Sequence, residues 1–460
     1  MSKDKRIVLV DRSASIVDEI LKDESVTIVM LIVDLEKQRE KYKNNPRIQQ
    51  VYTLVDLDHY DSLDGLDLDI IRKCKGAQLE AENALTRYID DYHIRKFYYY
   101  KALSFWNKVF KNNHVDVAII FDISHGLLYD GVMKGVAKEY GVPSYTCNGY
   151  EMHWENKFIW DENNDCMIPV ENDGYVSSFE YYLTADDGVD VLNFKFDGNI
   201  EDRDIIHRLI YRFTGALGLE TVSRICHGRF FKEFSIASQS FPTTTPYRLS
   251  CYRHFKDTEK FLRKHEKTVD LSVPYIFFPL HFEPEGSIQT RMTLEEQLTV
   301  IQMLSQAAPD GWKIYVKEHP HQFKLNTAMF EYHINNIDIF KNKAYYKALL
   351  DMKNVELISS DYGSKEIVKH CRAIAGLCGS ALTETIAQGK PMLVFTKKNP
   401  LVNDDQVLRC WSYQELEDNI KKIEEGFVPD YSDTLKIIND YVTSDWDSLV
   451  KNVRKLIPQE

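Results

Sequence analysis

VDVAIIFDISHGLLYDGVMKGVAKEYGVPSYTC, residues 115–147, decides the fold class. Its first seven residues form a nearly continuous apolar run of strand length, closed by Asp122. The segment from Gly131 to Tyr140 spaces Val132, Met133, Val136 and Ala137 at helical intervals, and Gly141-Val142-Pro143 stops that helix before an extended SYTC. Strand, loop, helix, turn and strand make a βαβ crossover, and such a crossover joins parallel strands. Upstream, RIVLVD (6–11) and VTIVMLIVD (26–34) read as further strands of the same strand–helix alternation. Between them and the crossover, one helical stretch is expected from about residue 78 to 112. Its Leu85, Tyr88, Tyr92, Tyr99, Leu103, Trp106 and Phe110 form an aromatic stripe facing a core or a cleft.

The second half repeats the alternation more cleanly. YIFFPLHFEPEGS (275–287) opens it, followed by helix LEEQLTVIQMLSQAA, strand KIYVKEHP, helix AYYKALLDM, strand VELISS, helix KEIVKHC, strand AIAGL, helix ALTETIAQG and strand PMLVF. The middle is less regular: residues 200–218 and 256–267 read as helical, SFPTTTPYR (240–248) reads as loop, and the basic segment 253–267 is a solvated face or a membrane-surface helix. At 460 residues, the chain divides into an N-terminal domain (1–268), a C-terminal domain (269–431) and a final helix (432–460) that crosses back to the first domain. The expected fold is α/β, two Rossmann-like domains facing across a cleft.

A net charge of −13 argues against a nucleic-acid partner, whose phosphates require a cationic surface. The longest apolar run, TIVMLIV (27–33), falls far short of a membrane span, and residues 1–13 lack a leader pattern, so a cytoplasmic protein is expected. The eight cysteines show no metal-binding or disulfide spacing. Asp56-Leu57-Asp58 and Asp67-Leu68-Asp69 look like metal-binding carboxylate pairs but sit in an acidic stretch, and no metal or other cofactor is expected.

In parallel α/β sheets, ligands bind beyond the carboxyl ends of the strands. Three strand ends in the second half carry chemistry: His281 and Glu285 after the first; Lys317, Glu318, His319 and Pro320 after the second; and Gly379, Ser380, Thr383 and Glu384 after the third. Gly379 allows close backbone approach, Ser380 opens a helix whose free amides favour an anion, and Ser380 and Thr383 carry hydroxyl donors. Glu384 can accept from a pair of sugar hydroxyls. Each element also has a plain structural reading, as a helix cap or a turn. In the first half, Asp122 and His125 occupy the corresponding strand-end position, as an acceptor-activating base or a cap, with Asp130 and Glu151 in reserve.

The run FFPLHFEPEGS, with Gln297, IYVKEHP and NVELISSDYGSKEIVKHCRAIAGLCGSALTETIAQGKPMLVF, resembles the C-terminal half of the capsule polysaccharide biosynthesis glycosyltransferases, the group that includes Kdo transferases. The resemblance spans about residues 275–396, and in the first half extends only to FDISHGLLYDGVMKGVAKEYGVP. It implies a GT-B architecture, a CMP-activated sugar donor in the C-terminal domain, a glycan or glycolipid acceptor, and peripheral contact with the inner membrane or with capsule assembly proteins. Carried onto this sequence, its His-Pro motif is His319-Pro320 and its hydroxyl-plus-glutamate motif is Gly379-Ser380 with Glu384. Where the family often has Gly-Thr and a further glycine before the glutamate, this chain has Gly379-Ser380 and Leu382. Two other functions fit the same pattern: a CDP-glycerol-type glycerophosphotransferase, and a non-catalytic nucleotide- or glycan-binding subunit of a capsule assembly complex.

Overall fold

The computed structural model describes residues 4–86, 89, 91–121, 128–148, 158–171, 245–283, 296–319, 322–323, 340–359, 362–377, 380–397, 399–443 and 445–458. The first sheet begins with β1 (Lys5–Asp11), α1 (Val17–Ile20), β2 (Val26–Val33), α2 (Glu36–Tyr42) and β3 (Val51–Thr53). Helices α3 (Leu54–Asp58), α4 (Leu68–Lys73), α5 (Lys75–Leu85) and α6 (Tyr92–Asn112) then lead to β4 (Val117–Phe121), α7 (Leu128–Glu139) and β5 (Ser144–Asn148). A hairpin of β6 (Phe158–Asp161) and β7 (Cys166–Ile168) completes it. The order is β3-β2-β1-β4-β5-β6-β7, parallel through β5 and antiparallel beyond.

The second unit runs α8 (Thr245–His265), β8 (Tyr275–Pro279), α9 (Gln297–Ala307), β9 (Lys313–Lys317), α10 (Lys343–Asp351) and β10 (Val355–Ile358). It continues with α11 (Ser364–His370), β11 (Ala373–Gly376), α12 (Ser380–Ala387), β12 (Met392–Val394), β13 (Leu408–Arg409) and α13 (Tyr413–Glu424). The short α14 (Thr434–Asn439) and α15 (Trp446–Lys455) follow. All pairings in its β10-β9-β8-β11-β12-β13 sheet are parallel. Both sheets grow outward from a central strand and then reverse on its other side, which is the doubly wound Rossmann order. The chain therefore has two Rossmann-like domains in a GT-B-like fold. The reversal points are β1/β4 in the first and β8/β11 in the second.

The apolar strands reflect burial on both faces. In the second sheet, Ile276, Phe278, Ile314, Val316 and Leu393 pack against α9, α10 and α13 through Val300, Leu304, Tyr346, Leu349 and Leu416. Their neighbours Tyr275, Phe277, Tyr315, Ile374 and Met392 pack on the opposite side with Ile367, Val368, Leu382 and Ile386 of α11 and α12. The second core also takes in Phe158, Trp160 and Met167 from the β6–β7 hairpin, together with Leu401, Ile438 and Val442. At this junction Lys397 pairs with Asp165 at 3.1 Å, and the Val170 N–H donates to the Asp440 carbonyl at 2.8 Å. Helix α15 lays Leu449, Val450, Val453 and the following Ile457 against Ile7, Leu9 and Ile119 of the first sheet, with the Trp446 ring edge-on to Phe121.

Three local expectations are corrected. The helical stretch expected over 78–112 is two helices, because the Asp91 carboxylate accepts from the Ile94 N–H at 2.9 Å and starts α6 afresh. Of the segment 240–248, residues 240–244 lie outside the described residues, and the rest is helix: α8 starts at Thr245, since Pro246 sits in the first turn, where its missing N–H costs no helical hydrogen bond. The helix expected over 432–457 is divided into α14 and α15, with Asp445 capping the second through the Ser448 N–H at 2.7 Å. The stripe on α6 is core: Tyr99, Leu103, Trp106 and Phe110 are buried, while Tyr92 is exposed and Tyr88 lies outside the described residues. Residues 200–218 also lie outside them.

Candidate functional site

The carboxyl ends of β9, β8 and β11 lie on consecutive strands beside the second reversal point, so His281, His319 and the start of α12 come from neighbouring strand ends. A buried polar lattice sets the first two. The His281 N–H donates to Gln297 Oε1 at 2.6 Å, and the His281 carbonyl accepts from Lys341 Nζ and, at 3.4 Å, from Gln297 Nε2. Glu318 Oε1 accepts from the His319 N–H at 2.6 Å and from Lys341 Nζ at 2.9 Å, while its Oε2 accepts from the Tyr346 hydroxyl at 2.6 Å. One ammonium thus bridges the two histidine-bearing loops. The Lys341 and Glu318 side chains are 0% and 2% exposed, so this is a fully desolvated ion pair with its hydrogen-bonding capacity largely used inside the protein.

A second set of bonds closes the same corner. The Glu283 N–H donates to Gln322 Oε1 at 3.0 Å, Gln322 Nε2 donates to the Glu283 carbonyl at 2.8 Å, and the Gln322 N–H donates to the His319 carbonyl at 2.9 Å. Gln297 Nε2 also donates to the Glu283 carboxyl. Burial pushes that carboxyl above the usual range, opposed by the Lys341 charge and the Gln297 bond and reinforced by the charge of Glu318. The His319 ring lies against Phe282, centroids 5.7 Å apart. Lys317 turns the other way: its Nζ donates to the Tyr362 carbonyl at 2.5 Å and to Ser364 Oγ at 2.9 Å, tying the end of β9 to the loop before α11.

The donor-site and cleft residues expected from sequence therefore divide. The cleft candidate His281 and the donor-site residue His319 sit at neighbouring strand ends on clamped backbones, whereas Lys317 and Glu318 spend their charges on internal partners that shape the loops. The backbone places Ser380 at the first position of α12, with Thr383 and Glu384 about one turn along. Pro320, Gly379 and Glu285 lie outside the described residues. In the first domain, β4 ends at Phe121 beside β1, at that sheet's reversal point. Asp122, His125 and Glu151 themselves lie outside the described residues, and Asp130 falls in the first turn of α7.

Lys341, Tyr346, Gln322 and Glu283 were not singled out from sequence; Gln297 entered only through the resemblance. Asp11 was also missed. It is buried at the end of β1 and accepts from the Ile16 N–H at 2.8 Å and the Ser15 N–H at 3.1 Å, which folds the adjoining loop back on itself and holds Ala14 at a φ of 56°. In the acidic stretch, Asp56 and Asp67 serve helix starts. Asp56 accepts from the Thr53 N–H at 2.7 Å and pairs with Arg39, and Asp67 accepts from the Ile70 N–H at 2.8 Å. Among the described residues, no cluster of three or more His, Cys, Asp or Glu is arranged to hold a metal ion.

No family model matches the chain, and no curated protein matches it. Among solved structures it is similar to two Thermosulfurimonas dismutans KpsC Kdo transferases. The β-Kdo 2,7-transferase is 10% identical, with 68% of this chain and 78% of that chain covered and a TM-score of 0.26. The β-Kdo 2,4-transferase is 10% identical, with 74% and 87% covered and a TM-score of 0.29. The Methanocaldococcus jannaschii UDP-GlcNAc 2-epimerase bound to UDP-GlcNAc and UDP is 12% identical, with 98% of each chain covered and a TM-score of 0.27. Likeness at this level decides nothing about chemistry, and the fold rests on the strand orders above.

Proposed function

We propose that this chain is a metal-independent glycosyltransferase that moves Kdo or a related acidic ulosonic sugar from a CMP-activated donor to a surface or capsular polysaccharide acceptor. The observation that carries the reading is the convergence of His281, His319 and the amino terminus of α12 on three neighbouring strand ends at the second reversal point. When the bond from the sugar to the CMP oxygen breaks, negative charge grows on the departing phosphate. Donors already aimed at that charge lower the barrier without reorganising. In this reading His319 and the first amides of α12 are those donors, Glu384 accepts from the ribose hydroxyls, and Asp122 or His125 takes the proton from the acceptor hydroxyl. The resemblance over residues 275–396 supports cytidine as the base.

A thermal-shift panel of CMP, CDP, UDP and GDP tests the donor class. Binding to the folded state alone stabilises by about 2.7 kcal/mol at a ligand concentration 100 times Kd, so CMP and CDP are expected to raise the melting temperature and the other two to leave it unmoved. A shift with UDP or GDP alone would overturn the cytidine assignment. Release of CMP from a CMP-linked ulosonic sugar, compared with CDP-glycerol, then separates breakage of a carbon–oxygen bond from breakage of a phosphorus–oxygen bond.

For the acceptor side, Asp122→Asn and His125→Ala are expected to separate binding from turnover. The variant that removes the base abolishes transfer while CMP affinity, which belongs to the second domain, stays at the wild-type value. Fully active, normally stable forms of both variants would take the two residues out of the mechanism. A lower melting temperature with unchanged turnover of the folded fraction would reduce Asp122 to a cap worth about 0.5–2 kcal/mol.

A further inference from the structure

The longest helix of the second unit divides sharply by chemistry. On one side of α8, Cys251, Phe255, Thr258 and Leu262 are buried. On the other, Arg253, Asp257, Lys260 and Lys264 recur at intervals of four, three and four residues and are all exposed. Helix α10 continues this surface. It buries Tyr345, Tyr346 and Leu349 and exposes Lys343, Lys347 and Asp351. Lys343 Nζ lies 3.5 Å from the Asp257 carboxylate, which sets the two stripes side by side. The joint face presents five cations, Arg253, Lys260, Lys264, Lys343 and Lys347, against the carboxylates of Asp257 and Asp351, in a chain whose overall charge is −13. Among the described residues, Arg253, Lys260, Lys264 and Lys347 pair with no acidic group.

We propose that this face of α8 and α10 docks the protein on an anionic phospholipid surface. None of the large exposed hydrophobic side chains among the described residues lies on either helix, so the described part of this face offers neither an aromatic platform on which a sugar ring could stack nor an apolar wedge to enter acyl chains. A flat row of lysines is suited instead to a plane of headgroup charges. Each basic residue near such a surface strengthens binding by about fivefold, and the attraction decays within a Debye length of about 8–10 Å. Among the described residues no helix is long and apolar enough to cross a membrane, so docking of this kind is peripheral and reversible. Lys343 follows Lys341 by two residues, which places the docked face next to the loops that carry His281 and His319.

The test reads lipid binding alone and is therefore independent of the sugar chemistry. The full chain is sedimented with vesicles of phosphatidylcholine containing roughly 30% phosphatidylglycerol, and with phosphatidylcholine alone, from about 0.05 to about 0.5 M NaCl. Binding is expected only to the anionic vesicles and is lost at the high-salt end. The charge reversal Lys260→Glu/Lys264→Glu/Lys347→Glu, at unchanged melting temperature, is expected to lower vesicle affinity by about 100-fold or more. Equal binding to both vesicle types, no binding at low salt, or wild-type binding by the triple variant would each overturn the proposal. Retention on heparin without any vesicle binding would overturn it in favour of a soluble polyanion.

Discussion

His319→Ala is expected to slow CMP release from a CMP-linked ulosonic sugar by about 10²–10³, roughly 2.7–4 kcal/mol of lost transition-state stabilisation, while the protein stays folded. The separation of activity from stability follows from how the residue is held. Its backbone is fixed by bonds that alanine keeps: the N–H to Glu318 and the carbonyl from Gln322. The substitution removes the imidazole and with it the contact with Phe282. Ser380→Ala, at the first position of α12, should show a smaller loss, because the backbone amides proposed to meet the phosphate remain. The donor site must be placed elsewhere if both variants turn over at the wild-type rate.

Lys341→Met should produce the largest loss of stability in the second domain. It strips the ammonium from a desolvated pair and leaves the Glu318 carboxylate buried, with the Tyr346 hydroxyl and the His319 N–H as its remaining donors. Breaking such a pair from one side costs roughly 3–5 kcal/mol, and replacing both charges by neutral groups of similar shape costs far less. The double variant Lys341→Met/Glu318→Gln is accordingly expected to recover most of the denaturation midpoint, because a glutamine oxygen still accepts from either donor. It should not recover nucleotide affinity, since the His281 carbonyl still lacks the ammonium that ties the loop after β8 to Glu318. A double-mutant cycle in urea measures the coupling. Additive losses, with the double variant less stable than either single, would show that the two charges do not act as a pair.

Much of the architecture was legible because it is written in short-range pattern. YIFF, IYV, AIAG and MLV are apolar without alternation, which only a strand covered on both faces requires, and the intervening helices begin and end on recognisable residues. The β6–β7 hairpin was not legible. FIWD and CMI are four and three residues long and lie among polar turns, so no period can be read from them. The histidines and the start of α12 could be named because a strand end followed by a helix start is a local signal. Their support could not. Lys341 lies 60 residues from His281 and 23 from Glu318, and in KNKAYYK it has the look of any solvated lysine. Glu318 and Lys317 were assigned to a ligand because charged residues at a strand end invite that reading; their inward partners come from loops remote in sequence.

Helix α15 has a consequence for how the molecule is made. Its Leu449, Val450 and Val453 cover strands that leave the ribosome about 330 to 440 residues earlier, at about 5–20 residues per second. Until residues 446–457 emerge, Ile7, Leu9 and Ile119 lack part of their cover, and the nascent first domain carries an open apolar strip for tens of seconds. The second domain has meanwhile been completed. The domain that is synthesised first is therefore the one that finishes folding last, and a chaperone acting on this chain during synthesis would find its binding site on the outer face of β1 and β4.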